Sequence, residues 1–244
     1  MNTKPFPFAD YVRAQQHLEA ALEHGDDTYL LLTGDSGTGK TALLRGLIQK
    51  LDRYRYRPIY FSHARQLGAT GFVRVIARAL RLSPRRSHPE TVQALVAHLL
   101  EEPAEIWIWF DEAHELPEET LAEARTLAES DLGGRSRLHI LFTGLTALRE
   151  KLQAMTPLWR RIVVREELSG LTRDEFPAFV LHHFGKATAD RFCDDGLSLL
   201  FERGRGIPGM LLPAIRATLR QASTKGGKIH TTRVEDILGR WDLA

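Results

Sequence analysis

Gly34-Asp35-Ser36-Gly37-Thr38-Gly39-Lys40-Thr41 lies between a short apolar run, Thr28 to Thr33, and a stretch from Thr41 to Leu51 in which Leu43, Leu44, Leu47, Ile48 and Leu51 recur at helical spacing. A strand, a glycine loop and a helix in that order commit this part of the chain to an α/β unit. The glycines allow backbone conformations that turn successive N–H groups inward, and the helix N-terminus brings the positive end of its dipole to the same point. The spacing fits a phosphate cradle formed by Gly34, Asp35, Ser36, Gly37, Thr38, Gly39, Lys40 and Thr41. Lys40 is placed to reach terminal phosphates and the Thr41 hydroxyl to ligate magnesium. The bland alternative, a glycine-rich turn that binds nothing, has both the spacing and the flanking elements against it.

Some 75 residues downstream, the apolar run Ile106-Trp107-Ile108-Trp109-Phe110 ends in two carboxylates, Asp111 and Glu112. Acidic residues commonly close buried strands, so this pair gains its meaning from the glycine loop upstream. With it, Asp111 stands at the sheet edge to hold magnesium directly or through water, and Glu112 can orient and deprotonate an attacking water. That glutamate implies hydrolysis rather than transfer to a small molecule. Asp111-Glu112-Ala113-His114 also spells the signature of a helicase class, but those helicases need two recombinase-like domains, and this length accommodates one with a small helical appendage. His114 reads as a loop residue beside the site, either a sensor of nucleotide or a solvated histidine.

Further strands are expected at Pro58 to Phe61, Glu105 to Phe110, Leu138 to Thr143 and Arg161 to Val164, alternating with helices. After Gly170 the strand signals stop. Helices are expected over Thr172 to Phe184, Asp194 to Arg203, Pro208 to Ala222 and Thr232 to Trp241, with Thr172, Asp194 and Thr232 as caps. The expected fold is therefore α/β, a parallel sheet flanked by helices in residues 1–168, followed by a small all-helical domain in residues 169–244.

No apolar run reaches the roughly 18–20 residues needed to cross a bilayer, and the first residues lack the order of a secretory signal. The single cysteine, Cys193, forms no internal disulfide and is expected to be a packing or incidental residue, which places the chain in a reducing cytoplasm. His182-His183 are adjacent rather than four apart and make a poor metal pair, and Trp107 and Trp109 read as sheet packing.

The order of glycine loop, Asp-Glu strand, a strand ending at Thr143-Gly144, an arginine-bearing segment and a helical lid resembles an AAA+ ATPase. Trp109 to Leu116, Leu141 to Leu148 and Leu158 to Ile162 are similar to the branch that holds ExeA-type secretion ATPases and the TniB, TnsC and MuB transposition ATPases. The resemblance implies binding and hydrolysis of ATP with Mg2+. It makes Thr143 the polar sensor of the γ-phosphate, against the plainer role of satisfying backbone at a strand end. It makes Arg161, with Arg160 beside it, the arginine finger that reaches a neighbouring subunit's nucleotide, against a solvated basic pair. Such a shared site implies self-assembly as a ring or helical filament. Phe6 and Phe8 then lie near the adenine or form an anchoring arm. One departure stands out: relatives carry an arginine after the Gly-x-Pro turn of the lid, whereas Gly206-Ile207-Pro208 is followed by Gly209, so the second sensor is missing or supplied by Arg205 or Arg216.

The net charge is only +2, but Arg45 to Arg86 holds eleven Lys/Arg against one acid, and Glu101 to Asp131 holds eleven Asp/Glu against one Arg. Two uses compete. The basic block, with Arg53-Tyr54-Arg55-Tyr56-Arg57 and Arg74, Arg78, Arg81, Arg85 and Arg86, faces double-stranded DNA, as in ATPases that mark a target for a transposase. Alternatively it pairs with the acidic block of the next subunit in a secretion ATPase. The secretion relatives generally add a membrane span and a cell-wall-binding domain, which favours DNA; a signalling switch ATPase without DNA is the third reading. Arg74, Arg78 and Arg81 recur at spacings that place them on one helical stripe.

Overall fold

The computed structural model describes residues 4–24, 29–62, 67–130, 138–222 and 227–238. Five strands, β1 (Tyr29–Gly34), β2 (Tyr56–Phe61), β3 (Glu105–Phe110), β4 (Leu138–Gly144) and β5 (Ile162–Leu168), form one sheet in the order β2-β3-β4-β1-β5. The pairs β2 with β3, β3 with β4 and β4 with β1 are parallel, so the expected parallel α/β sheet is the fold observed. The helices are α1 (Ala9–His24), α2 (Lys40–Lys50), α3 (Ala69–Ala79), α4 (His88–Glu101), α5 (Glu118–Ala128), α6 (Ala147–Ala154), α7 (Thr156–Trp159), α8 (Phe176–Phe184), α9 (Lys186–Ala189), α10 (Asp194–Gly204), α11 (Pro208–Ala222) and α12 (Thr231–Leu238). Among the described residues no helix is long and apolar enough to cross a membrane.

Strand alternation builds the layers. Ile106, Ile108 and Phe110 of β3 join Ile140 and Phe142 of β4 and Phe72, Val73 and Ile76 of α3 in one buried cluster, with Leu95 of α4 and Leu121 of α5. Trp107 and Trp109 alternate to the opposite face, where Trp107 stacks on His139, its register neighbour, at 4.5 Å. This is packing, as the sequence implies. Leu43, Leu44 and Leu47 of α2 and Leu18 of α1 are buried outside the first cluster, as a second covering layer requires.

Local chemistry sets several ends differently from expectation. Helix α4 starts at His88, where Ser87 and Glu90 form a reciprocal capping box that contributes about 1 kcal/mol. Asp194 and Thr232 lie inside their helices. Thr172 stands before α8, closing a turn with Glu175. Strand β5 extends to Leu168, well past Val164. The expected strand start at Thr28 and helix end at Trp241 fall outside the described residues.

Contacts divide the chain into two compact units. One comprises residues 14–34 and 40–167; the other comprises residues 1–13, 35–39 and 168–244. The first holds the sheet and the helices α2 to α7. In the second, Phe6 packs edge-on against Phe179 and His182, and Lys4 O lies 3.1 Å from His182 Nε2. These contacts seat the N-terminal segment on α8.

Candidate active site

In the sheet order, β4 lies between β1 and β3, so the carboxyl ends of these three parallel strands are side by side. The chain leaves β1 into the glycine loop, where Gly37 and Gly39 take φ of 85° and 110°, a region that side chains strain to enter. Thr38 is fully buried and donates its hydroxyl to the Asp35 carbonyl at 2.9 Å. The side chains of Asp35 and Ser36 are exposed. Lys40 is buried, and its Nζ donates to the Gly34 carbonyl at 2.6 Å, bridging the two ends of the loop.

Asp111 is the hub of the site. Its Oδ2 accepts from the Thr41 hydroxyl at 3.0 Å and the Tyr60 hydroxyl at 2.8 Å. Its Oδ1 accepts from the Glu112 amide at 3.1 Å and faces the Thr143 hydroxyl at 2.9 Å. Thr143 is fully buried and also 3.0 Å from the Phe110 carbonyl, so its single proton serves either the strand end or the carboxylate. The Asp111 amide donates to the Phe61 carbonyl at 2.9 Å, which continues the β2–β3 ladder and fixes where the carboxylate stands. A threonine hydroxyl beside a carboxylate oxygen is a hard oxygen donor pair of the kind magnesium takes.

Tyr60 is the residue that sequence reasoning missed. An aromatic on a strand reads as packing, and its hydroxyl finds Asp111 through the β2–β3 register, which sets Tyr60 opposite Trp109. Burial, together with the Asp111 carboxylate that accepts its hydrogen bond, pushes the Tyr60 phenol up to about 12.

Glu112 adopts φ 54° and ψ 39°, a left-handed conformation that costs a non-glycine residue about 1–2 kcal/mol. Its side chain is 43% exposed. Its Oε2 lies 3.3 Å from His114 Nδ1, and the His114 ring is only 20% exposed. The solvated reading of His114 therefore fails. The ring sits so close to Gly144 that a Cβ there would stand 3.0 Å from Nδ1.

The arginine pair follows α7. Arg161 is tied within the chain, its Nε 2.8 Å from Glu129 Oε1 and its guanidinium donating to the Pro157 carbonyl at 3.1 Å. The Arg160 side chain is exposed and makes no hydrogen bond or ion pair among the described residues. Of the two, the sequence favours Arg161, yet Arg160 is the uncommitted one.

The basic block divides. Arg55 pairs with Glu105 at 3.4 Å and Arg57 with Glu102 at 2.9 Å, while the Tyr56 hydroxyl is buried on the Leu22 carbonyl. Arg74, Arg78, Arg81, Arg85 and Arg86 are all exposed and have no carboxylate partner among the described residues. The expected three-membered stripe is corrected to two. Arg74 and Arg78 share α3, but Arg81 lies beyond its end with φ 64°, and the following loop doubles back so that Arg74 donates to the Arg85 carbonyl at 3.4 Å.

Gly209 has a steric reason. Its amide donates to the Gly37 carbonyl at 2.9 Å, and a Cβ at 209 would stand 2.7 Å from the Gly37 Cα. Of the two substitutes considered for the second sensor, Arg205 is a left-handed C-cap of α10 and Arg216 is exposed on α11.

A family model described as "AAA domain" matches residues 23–152. No curated protein matches the chain. Among solved structures, Cdc6p from Pyrobaculum aerophilum aligns with 97% of this chain and 69% of its own, at 19% identity and a TM-score of 0.69. The Aeropyrum pernix ORC1 protein in complex with DNA aligns with 97% of this chain and 65% of its own, at 17% identity and a TM-score of 0.64. The Thermotoga maritima RuvB Holliday junction branch migration motor aligns with 94% and 67%, at 16% identity and a TM-score of 0.51. At these identities the likeness is one of fold, and this chain spans about two thirds of the length of those chains.

Proposed function

The chain belongs to the AAA domain family, and on that premise we propose that it binds ATP with magnesium, hydrolyses it, self-assembles, and acts on double-stranded DNA as a regulatory ATPase for a transposase. The observation that carries the ATPase part is the convergence on Asp111. Thr41, from the end of the glycine loop, and Thr143, from β4, meet one carboxylate at 3.0 and 2.9 Å, and the neighbouring Glu112 side chain is 43% exposed and lies against His114.

In this reading the loop amides and the Lys40 ammonium hold the phosphates. Thr41 and Asp111 are the residues that would hold magnesium, which when bound supplies charge neutralisation at the β- and γ-phosphate oxygens. Glu112 orients the attacking water and takes its proton, and His114 fixes the direction of that carboxylate. Thr143 reads the γ-phosphate through the Asp111 carboxylate that it already touches. Arg160 or Arg161 of an adjoining copy completes the charge stabilisation, which makes assembly into a ring or filament a condition of turnover.

Support for DNA comes from the five exposed arginines of α3 and the loop after it, whose charge nothing described on this chain cancels. The intrachain pairs Arg55–Glu105 and Arg57–Glu102 weigh against the secretion-type reading, because they use up part of the charge it assigns to the next subunit. The test is sedimentation with duplex DNA at low salt, with and without a nonhydrolysable ATP analogue. The proposal expects a nucleotide-dependent complex that the Arg74→Ala/Arg78→Ala double variant weakens. No complex in the wild type would overturn the DNA role and leave the ATPase role to be judged by turnover alone.

A further inference from the structure

The sequence makes Cys193 a packing or incidental residue, with no histidine near it along the chain, but folding brings one to it. Cys193 Sγ lies 3.4 Å from His230 Nε2, and Asp195 Oδ1 lies 3.6 Å from His230 Nδ1. Each of the three side chains offers a donor atom within 4.8 Å of the others. We propose that Cys193, Asp195 and His230 form a zinc(II) site with one open coordination position.

The frame around these donors is built. A parallel bridge joins Phe192 to Ile229, the Cys193 amide donates to the Ile229 carbonyl at 3.0 Å, and the Ile229 amide donates to the Arg191 carbonyl at 2.8 Å. Helix α10 approaches this segment so closely that a Cβ on Gly196 would stand 2.7 Å from the Ile229 carbonyl. Asp195 Oδ2 accepts from the Thr231 amide at 3.1 Å and its hydroxyl at 2.7 Å, which leaves Oδ1 facing the imidazole.

Zinc binds sulfur at about 2.3 Å and nitrogen at about 2.0 Å, which sets tetrahedral donor spacings of roughly 3.5 Å. Whichever imidazole nitrogen binds, one spacing already has that value. The other donor spacings lie within 4.8 Å, and the His230 side chain, 60% exposed, has room to rotate as they close. A thiolate and an imidazole select zinc over magnesium or calcium, and thiolate with carboxylate balance the dication's charge. Three protein ligands leave the fourth position to water. The ion would tie the start of α10 to the residue before α12, across 37 residues of chain.

The test uses the full chain, freed of metal by chelation and titrated with Co2+ alone. One equivalent is expected to bind with a thiolate-to-cobalt charge-transfer band, which Zn2+ displaces. Cys193→Ser is expected to abolish the band, and His230→Ala and Asp195→Asn to weaken binding by about tenfold or more. Absence of the band in the wild type, or unchanged binding by His230→Ala, overturns the site. A second measurement needs no variant. Cys193 is the single thiol of the sequence, so zinc, and not magnesium, is expected to slow its reaction with a disulfide reagent; equal rates with and without zinc overturn the proposal.

Discussion

The carboxyl end of β3 and the outer side of α3 are both polar, and they are built on opposite principles. Around the buried Asp111, two hydroxyls and an amide are already bonded to the carboxylate and the Thr143 hydroxyl faces it, with each of these partners supplied by the chain. On α3 and its loop, five guanidiniums stand in solvent with no carboxylate of the described chain against them. The difference separates preorganisation from availability. Groups that must hold a reacting geometry are fixed in advance by their neighbours, whereas groups that meet an external polyanion are kept uncompensated. Arg55 and Arg57 show that a basic run in sequence is not in itself basic surface, since Glu105 and Glu102 take both.

The largest expected effect is at the preorganised end. Lys40→Ala should remove measurable ATP binding in calorimetry, and near-wild-type affinity would break the assignment of the loop as the phosphate cradle. Loss of the finger should lower turnover by about 10³-fold or more. Either Arg160→Ala or Arg161→Ala subunits, mixed with Lys40→Ala subunits, should recover part of the activity across the mixed interface. The one that recovers is the finger; if neither does while mixed assemblies form, the shared site is wrong. Glu112→Gln should keep ATP bound and slow hydrolysis by about 10²–10⁴-fold, and normal turnover would end its role as base.

At the uncompensated end the effects are smaller. Arg78→Ala should weaken DNA binding evenly across sequences and reduce the slope of log K against log salt by about 1. An unchanged slope would mean that this face does not touch phosphate. The smallest effect belongs to Tyr60. Its folded pKa of about 12 is above the ordinary value of 10, so the stability it contributes is complete below pH 10 and is lost as pH rises toward 12. Tyr60→Phe should flatten the fall in unfolding free energy over that interval relative to wild type, and parallel curves would show that its hydroxyl bond to Asp111 is not formed.

The parallel sheet and the helices after it were legible because apolar runs, glycines and helical spacing are local signals. The Asp111–Glu112 pair was legible because it closes such a run. Tyr60, the Arg161–Glu129 pair and the meeting of Cys193 with His230 were not, because each depends on strand register or on chain folding back over many residues. The left-handed turn at Glu112 was hidden for a different reason: no propensity rule places glutamate there, and the surrounding structure imposes it. Arg81 misled the helical count because α3 stops at Ala79.

Gly209 presses its backbone against that of Gly37, which leaves position 209 no room for a side chain. Any mutational path toward an arginine at position 209 must therefore pass through a rearranged glycine loop, so the two segments can change only together.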